Sequence, residues 1–139
     1  MVKIATVYEG NLRCRAIHEP SGTALQTDAP RDNQGNGEFF SPTDLVASAL
    51  GTCILTTMGI LARRLNVDMQ QASASVGKEM VASPIRRIGR LTVDIHMPGS
   101  IATEHRLQLE HAAHACPVHR SLHPDMEIPI RFHWEGDSP

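Results

Sequence analysis

The chain is poor in aromatic residues and in cysteine, and it carries no run of one charge long enough to set up a field. Among 139 residues there are one Trp, one Tyr and three Phe. A core must therefore be built from aliphatic and small side chains packed closely. Three cysteines, Cys14, Cys53 and Cys116, are an odd number at wide spacings. That pattern argues against a secreted disulfide framework and suits thiols kept reduced between uses. A formal net charge of −2 gives no long-range pull toward nucleic acid or anionic lipid. "RR" at 63–64 and "RRIGR" at 86–90 are only local basic spots, so neither a nucleic-acid partner nor a membrane is expected. No Gly-rich phosphate loop, Gly-x-Ser-x-Gly elbow, His-Glu-x-x-His pair or Cys-x-x-Cys motif occurs. The commonest nucleotide, hydrolase and zinc-protease chemistries are thereby removed. The opening "MVKIATVYEG" alternates like a strand and does not resemble a charged-then-apolar leader, so the expected compartment is the cytoplasm.

What is present suits one folded domain over 1–139, with 41% apolar and 20% charged residues. Residues 2–8, 11–18 and 23–27 read as strands separated by "EGN" and "PSG". In the second, Leu12, Cys14 and Ala16 share one face, and Arg13 and Arg15 the other, so Cys14 is expected to be a buried structural residue. The polar, Gly- and Asn-rich segment 28–40 is a long loop of the kind that borders sites.

"SPTD" at 41–44 starts a helix, with Ser41 as N-cap, Pro42 at the first helical position and Asp44 facing the free backbone donors. The helix should run to about Asn66. No charge occurs from Leu45 to Ala62, so it is expected to be hidden nearly all round, by a wrapping sheet or a second subunit. A membrane span is the rival reading, weakened by Ser48, Gly51, Thr52, Thr56, Thr57 and Gly59. Further on, 70–82 and 86–97 are strands, 102–115 is an amphipathic helix interrupted by Pro117, and 126–134 is a final strand. The order βββ-α-ββ-α-β makes the fold class α+β.

Thiols and histidines carry the available chemistry. "HAAHACPVHRSLH" holds His111, His114, Cys116, His119 and His123, a dense set of metal-ligand types. At about 100° per residue, however, His111 and His114 share a helix face with Leu107, while Cys116 falls with Leu109, Ala112 and Ala113. No metal or other cofactor is expected. Cys116 precedes Pro117, so a helical turn restarting there would place it beside free amides that favour a thiolate. Cys53 lies within an apolar helix, where burial should raise its pKa unless a cation reaches it. On local grounds Cys53 is a core residue and Cys116 the reactive thiol.

"FFSPTDLVASALGTCILTTMG" around Cys53 and "HACPVHRSL" around Cys116 together resemble the OsmC/Ohr family of osmotically induced and organic-hydroperoxide-resistance proteins, nearer to its OsmC-like branch. The likeness covers nearly the whole chain. It implies an intertwined homodimer whose sheets wrap two central helices, and it reverses the roles of the two thiols. Cys53 becomes the peroxidatic thiolate that reduces an organic hydroperoxide to an alcohol, and Cys116 resolves the sulfenic acid as a disulfide. A dithiol reductant, with a lipoyl-type one among the candidates, restores both thiols. The family activates its nucleophile with an arginine held by a glutamate, so Arg13 and Arg15 are candidates for the cation. Thr43 stands where the family has its glutamate, which leaves Asp44 or Glu38 as the carboxylate. The alternative is a redox-sensing or small-ligand-binding dimer without efficient turnover.

Overall fold

The computed structural model describes residues 1–137, which form two compact units, Met1–Val46 and Ala47–Pro139, the second described as far as Asp137. The first unit is an antiparallel sheet in the order β1-β2-β3, from Ile4–Gly10, Arg13–His18 and Ala24–Asp28. Gly10, Asn11 and Leu12 all have positive φ at the first turn, a conformation Leu adopts only where its surroundings impose it. The 28–40 segment folds back on the sheet around a short 3-10 turn, Arg31–Asn33. Its anchor is Asp28, whose amide donates to the Phe40 carbonyl and whose carboxylate accepts from the Glu38 amide.

Cys14 departs from expectation: it is half-buried, and Leu12, expected on the same face, is 46% exposed. Leu12 lies in the turn before β2 with a positive φ, so strand alternation does not extend to it, and only a covering layer buries a strand face.

Helix α1, Pro42–Leu65, begins in the first unit and continues through the second. Its start follows the sequence closely. The Asp44 amide donates to Ser41 Oγ, and Asp44 Oδ2 accepts from the Ser41 amide, a reciprocal capping box with Asp in place of the usual Glu. Its burial does not follow. Only Ala47, Leu50, Gly51, Ile54, Met58 and Ala62 are buried, one stripe at helical spacing, and Ile60 is 53% exposed. The uncharged stretch from Leu45 to Ala62 is thus hidden on one side by its own chain. By length and composition α1 could cross a membrane, yet a third of its most apolar window is already buried inside the chain.

The second unit holds the core. Strands β4, Ser73–Val81, and β5, Arg87–Met97, form an antiparallel pair, and β6, Ile130–Trp134, joins β5 in parallel. Leu91, Val93 and Ile95 are fully buried along one face of β5, while Arg90 and His96 point away and are exposed. Leu109 and Ala113 of α2, Thr103–His114, are fully buried with them. Burying each large aliphatic side chain contributes about 1.5–3 kcal/mol, so this face supplies much of the unit's stability. A Cβ on Gly51 would stand 3.0 Å from Val76 Cγ2, so the glycine lets α1 lie close against β4. A short helix α3, Pro117–Ser121, follows Cys116.

Candidate active site

In the first unit, β2 presents Arg13 opposite Asp28 of β3. The Arg13 guanidinium donates to Glu38, lies 3.7 Å from Asp28 Oδ2 and stands 5.2 Å from the centre of the Phe39 ring. Asp28 is 1% exposed, so this pair of charges sits where solvent screens it least. Arg15, two residues on, is 52% exposed and only 3.8 Å from Glu9. Such a pair contributes little. Of the two candidate arginines, Arg13 is the one held in place, and Glu38 is one of the carboxylates holding it. Asp44 is engaged at the start of α1 with Ser41.

In the second unit, Cys53 of α1 and Cys116 are both free thiols, near enough for each to shift the other's titration. Cys116 lies just beyond the end of α2 and is fully buried, as are Leu109 and Ala113. It caps α3: the His119 amide donates to its sulfur at 3.5 Å. Local reasoning about this cap gives the wrong polarity for the pair. Burial pushes the Cys116 thiol up, its hydrogen bond to Cys53 pushes it further, and the amides of His119 and Val118 offset only part of this. Burial also pushes Cys53 up, but the Cys116 thiol, the Val118 amide and the Thr57 hydroxyl together outweigh it and hold Cys53 below the ordinary thiol value. Of the two, Cys53 is the sulfur shifted toward the thiolate and Cys116 the one shifted away from it.

Thr57 and Val118 escaped the sequence reading. Thr57 carried a detectable signal, since it lies one turn beyond Cys53 on the same helix face. Val118 carried none, because only the folded chain brings its amide to Cys53.

The remaining histidines do not converge. His114 and His119 meet edge to face with ring centres 6.3 Å apart, and His111 and His123 are exposed. Burial, then the charges of His114 and Arg120, hold His119 below the ordinary imidazole value. Among the described residues no group of three or more His, Cys, Asp or Glu side chains is arranged to hold a metal.

Fold and site together define an α+β protein of two three-stranded sheets with a pair of free thiols. A family model described as OsmC-like protein matches residues 35–131, and the chain belongs to that family. A crystal structure from Psychrobacter arcticus 273-4, of a protein named for osmotic stress induction and detoxification response, is similar at 40% identity and a TM-score of 0.89, covering 96% of both chains. An OsmC-like protein from Mycoplasma pneumoniae has the same fold at 15% identity and a TM-score of 0.81, with 96% of both chains covered. An organic hydroperoxide resistance protein from Legionella pneumophila shares it at 16% identity and a TM-score of 0.73, covering 95% of this chain and 96% of its own. Comparison with curated proteins gives no match.

Proposed function

We propose that the protein is a thiol-dependent peroxidase that reduces organic hydroperoxides to alcohols. The observation that carries this reading is the pair Cys53 and Cys116, with one thiol pushed down and the other up. The hydroperoxide resistance named for the Legionella pneumophila structure supports the substrate class. The Cys53 thiolate attacks one peroxide oxygen, the O–O bond breaks, and the alkoxide leaves and takes up a proton, giving an alcohol and a sulfenic acid at Cys53. Cys116 then gives up its proton, its sulfur bonds to that of Cys53, and hydroxide leaves as water. A dithiol of lipoyl type reverses the disulfide through two exchange steps and is itself oxidised.

Arg13, held by Glu38 and Asp28, is our choice for the cation that serves the nucleophile, ahead of the weakly held Arg15. Asp44 has its place in the helix cap. The working form is taken to be an intertwined homodimer in the cytoplasm, which accounts for the face of α1 that its own chain leaves uncovered.

The test is thiol titration before and after one equivalent of cumene hydroperoxide, with turnover followed in the presence of dihydrolipoamide. Loss of two thiols per chain, restored by the dithiol, is expected, and Cys53→Ser should consume no peroxide. Full consumption by that variant would sink the proposal. One oxidation without recycling would favour a redox sensor instead.

A further inference from the structure

We infer that Asp28 is the positioning residue for Arg13: its buried carboxylate fixes the guanidinium by charge and, through the Glu38 amide, the loop segment that flanks it. An aspartate is an unfavourable choice inside a strand, and charged side chains are seldom fully buried unless paired. Asp28 is nevertheless the last residue of β3, 1% exposed, and stands directly opposite Arg13 in the register of β2 and β3. Its Oδ2 accepts from the Glu38 amide at 3.1 Å and lies 3.7 Å from the Arg13 guanidinium. Its own amide donates to the Phe40 carbonyl at 3.1 Å. One residue thus ties the cation to the segment carrying Glu38 and Phe39, which supply the other contacts of the guanidinium.

Glu38 makes the closer contact with Arg13, but it is 56% exposed. Coulomb attraction weakens only as the inverse of distance, whereas the effective dielectric falls several-fold between water and a buried site. The more distant carboxylate therefore exerts the stronger hold. The remaining polar atoms agree. Arg13 Nε and Asp28 Oδ1 are both buried without a hydrogen-bond partner among the described residues, so no other group competes for that side of either charge. Leaving a buried carboxylate without its cation is costly, which keeps Arg13 in place as firmly as it keeps Asp28. Asp28 acts through Arg13.

This inference rests on the proposed function for what Arg13 serves, but its test reads Arg13 itself. Modification of Arg13 by phenylglyoxal is timed by mass spectrometry in the full-length protein, with Arg15 on the same strand as the internal control. Asp28→Asn removes the charge and keeps an oxygen for the Glu38 amide. Arg13 should then be modified at least about tenfold faster, the consequence of losing a buried charge partner. Arg15, and the hydrogen exchange of the Glu38 amide, should stay at parent values, which a loop anchor alone would not combine with a freed Arg13. Glu38→Gln should accelerate Arg13 by only about two- to fivefold, as for an exposed pair. An unchanged Arg13 in a folded Asp28→Asn protein, or an equal acceleration of Arg15, overturns the inference. If Asp28→Asn does not fold, full release of Arg13 by Glu38→Gln overturns it equally, since the exposed carboxylate would then be the one that holds the cation. Alkylation of Cys53 by iodoacetamide, followed against pH in Arg13→Gln, is read separately. A midpoint that fails to move to higher pH there removes Arg13 from the service of the thiol, whereas the phenylglyoxal result alone decides the role of Asp28.

Discussion

The arginine cluster of the first unit and the thiol pair of the second are tuned in opposite ways. Around Arg13 the partners are charges: Glu38, Asp28 and the face of Phe39. Around Cys53 they are neutral donors: a thiol, an amide and a hydroxyl. Charges act over distance and are screened by salt, whereas neutral donors act only at contact and are nearly indifferent to it. A lowered thiol pKa can therefore be set within the second unit itself, by neutral donors. This answers the difficulty that burial poses for a cysteine in an apolar helix.

The comparison is broken most severely by removing Cys116. Cys116→Ala takes away the thiol that lowers the Cys53 pKa and the partner for its proposed disulfide. After one equivalent of hydroperoxide the variant should lose a single thiol, and its sulfenic acid should persist long enough to be trapped by dimedone. Recycling by a dithiol through an internal disulfide should be abolished. The alkylation midpoint of Cys53 should also move to higher pH, since a lowered thiol pKa loses one of its supports. If the midpoint stays put, Cys116 resolves the sulfenic acid without tuning the nucleophile.

Glu38→Gln sharpens the other half. It keeps the shape and removes the charge that holds Arg13. Because Glu38 is 56% exposed, the expected loss in peroxide reduction is modest, about two- to fivefold, in keeping with a partly screened pair. The diagnostic is salt. The deficit should shrink as ionic strength rises, because the parent pair is itself screened, whereas the deficit of Cys116→Ala should not. A salt-independent loss in Glu38→Gln would mean that the carboxylate orders its loop through shape alone.

Much of the scaffold was legible because its signals are local. Ser41, Pro42 and Asp44 mark the start of α1 through capping chemistry that needs no tertiary partner, and the alternation from Leu91 to Met97 fixes the inward face of β5. What failed to show depends on neighbours from elsewhere. Cys14 is half-buried, and nothing in its own strand says whether a layer covers it. The uncharged surface of α1 speaks of burial without naming what buries it. Arg13 and Arg15 share a strand face, so alternation could not choose between them; Asp28 and Glu38, brought in by the next strand and loop, make the distinction. Local reasoning alone set the polarity of the two thiols the wrong way round, and only the family resemblance reversed it. A helix-cap argument weighs the amides near Cys116 in sequence, while the donors that decide Cys53 include Val118 on a different helix.

The smallest expected effect separates the fold from the chemistry in both regions. Ser41→Ala removes the hydroxyl that accepts from the Asp44 amide, leaving a donor at the start of α1 without its partner. The loss should be about 1 kcal/mol of stability, the usual cost of deleting a serine cap, measured as a lower urea midpoint at unchanged slope. Cys53 lies three turns along the same helix, and a fraying first turn does not propagate so far through a stripe anchored by Leu50, Ile54 and Met58. The alkylation profile of Cys53 should therefore coincide with that of the parent. A shifted profile would mean that the cap sets the thiol's surroundings through the helix as a whole, and the neutral donors would then no longer account for the tuning by themselves.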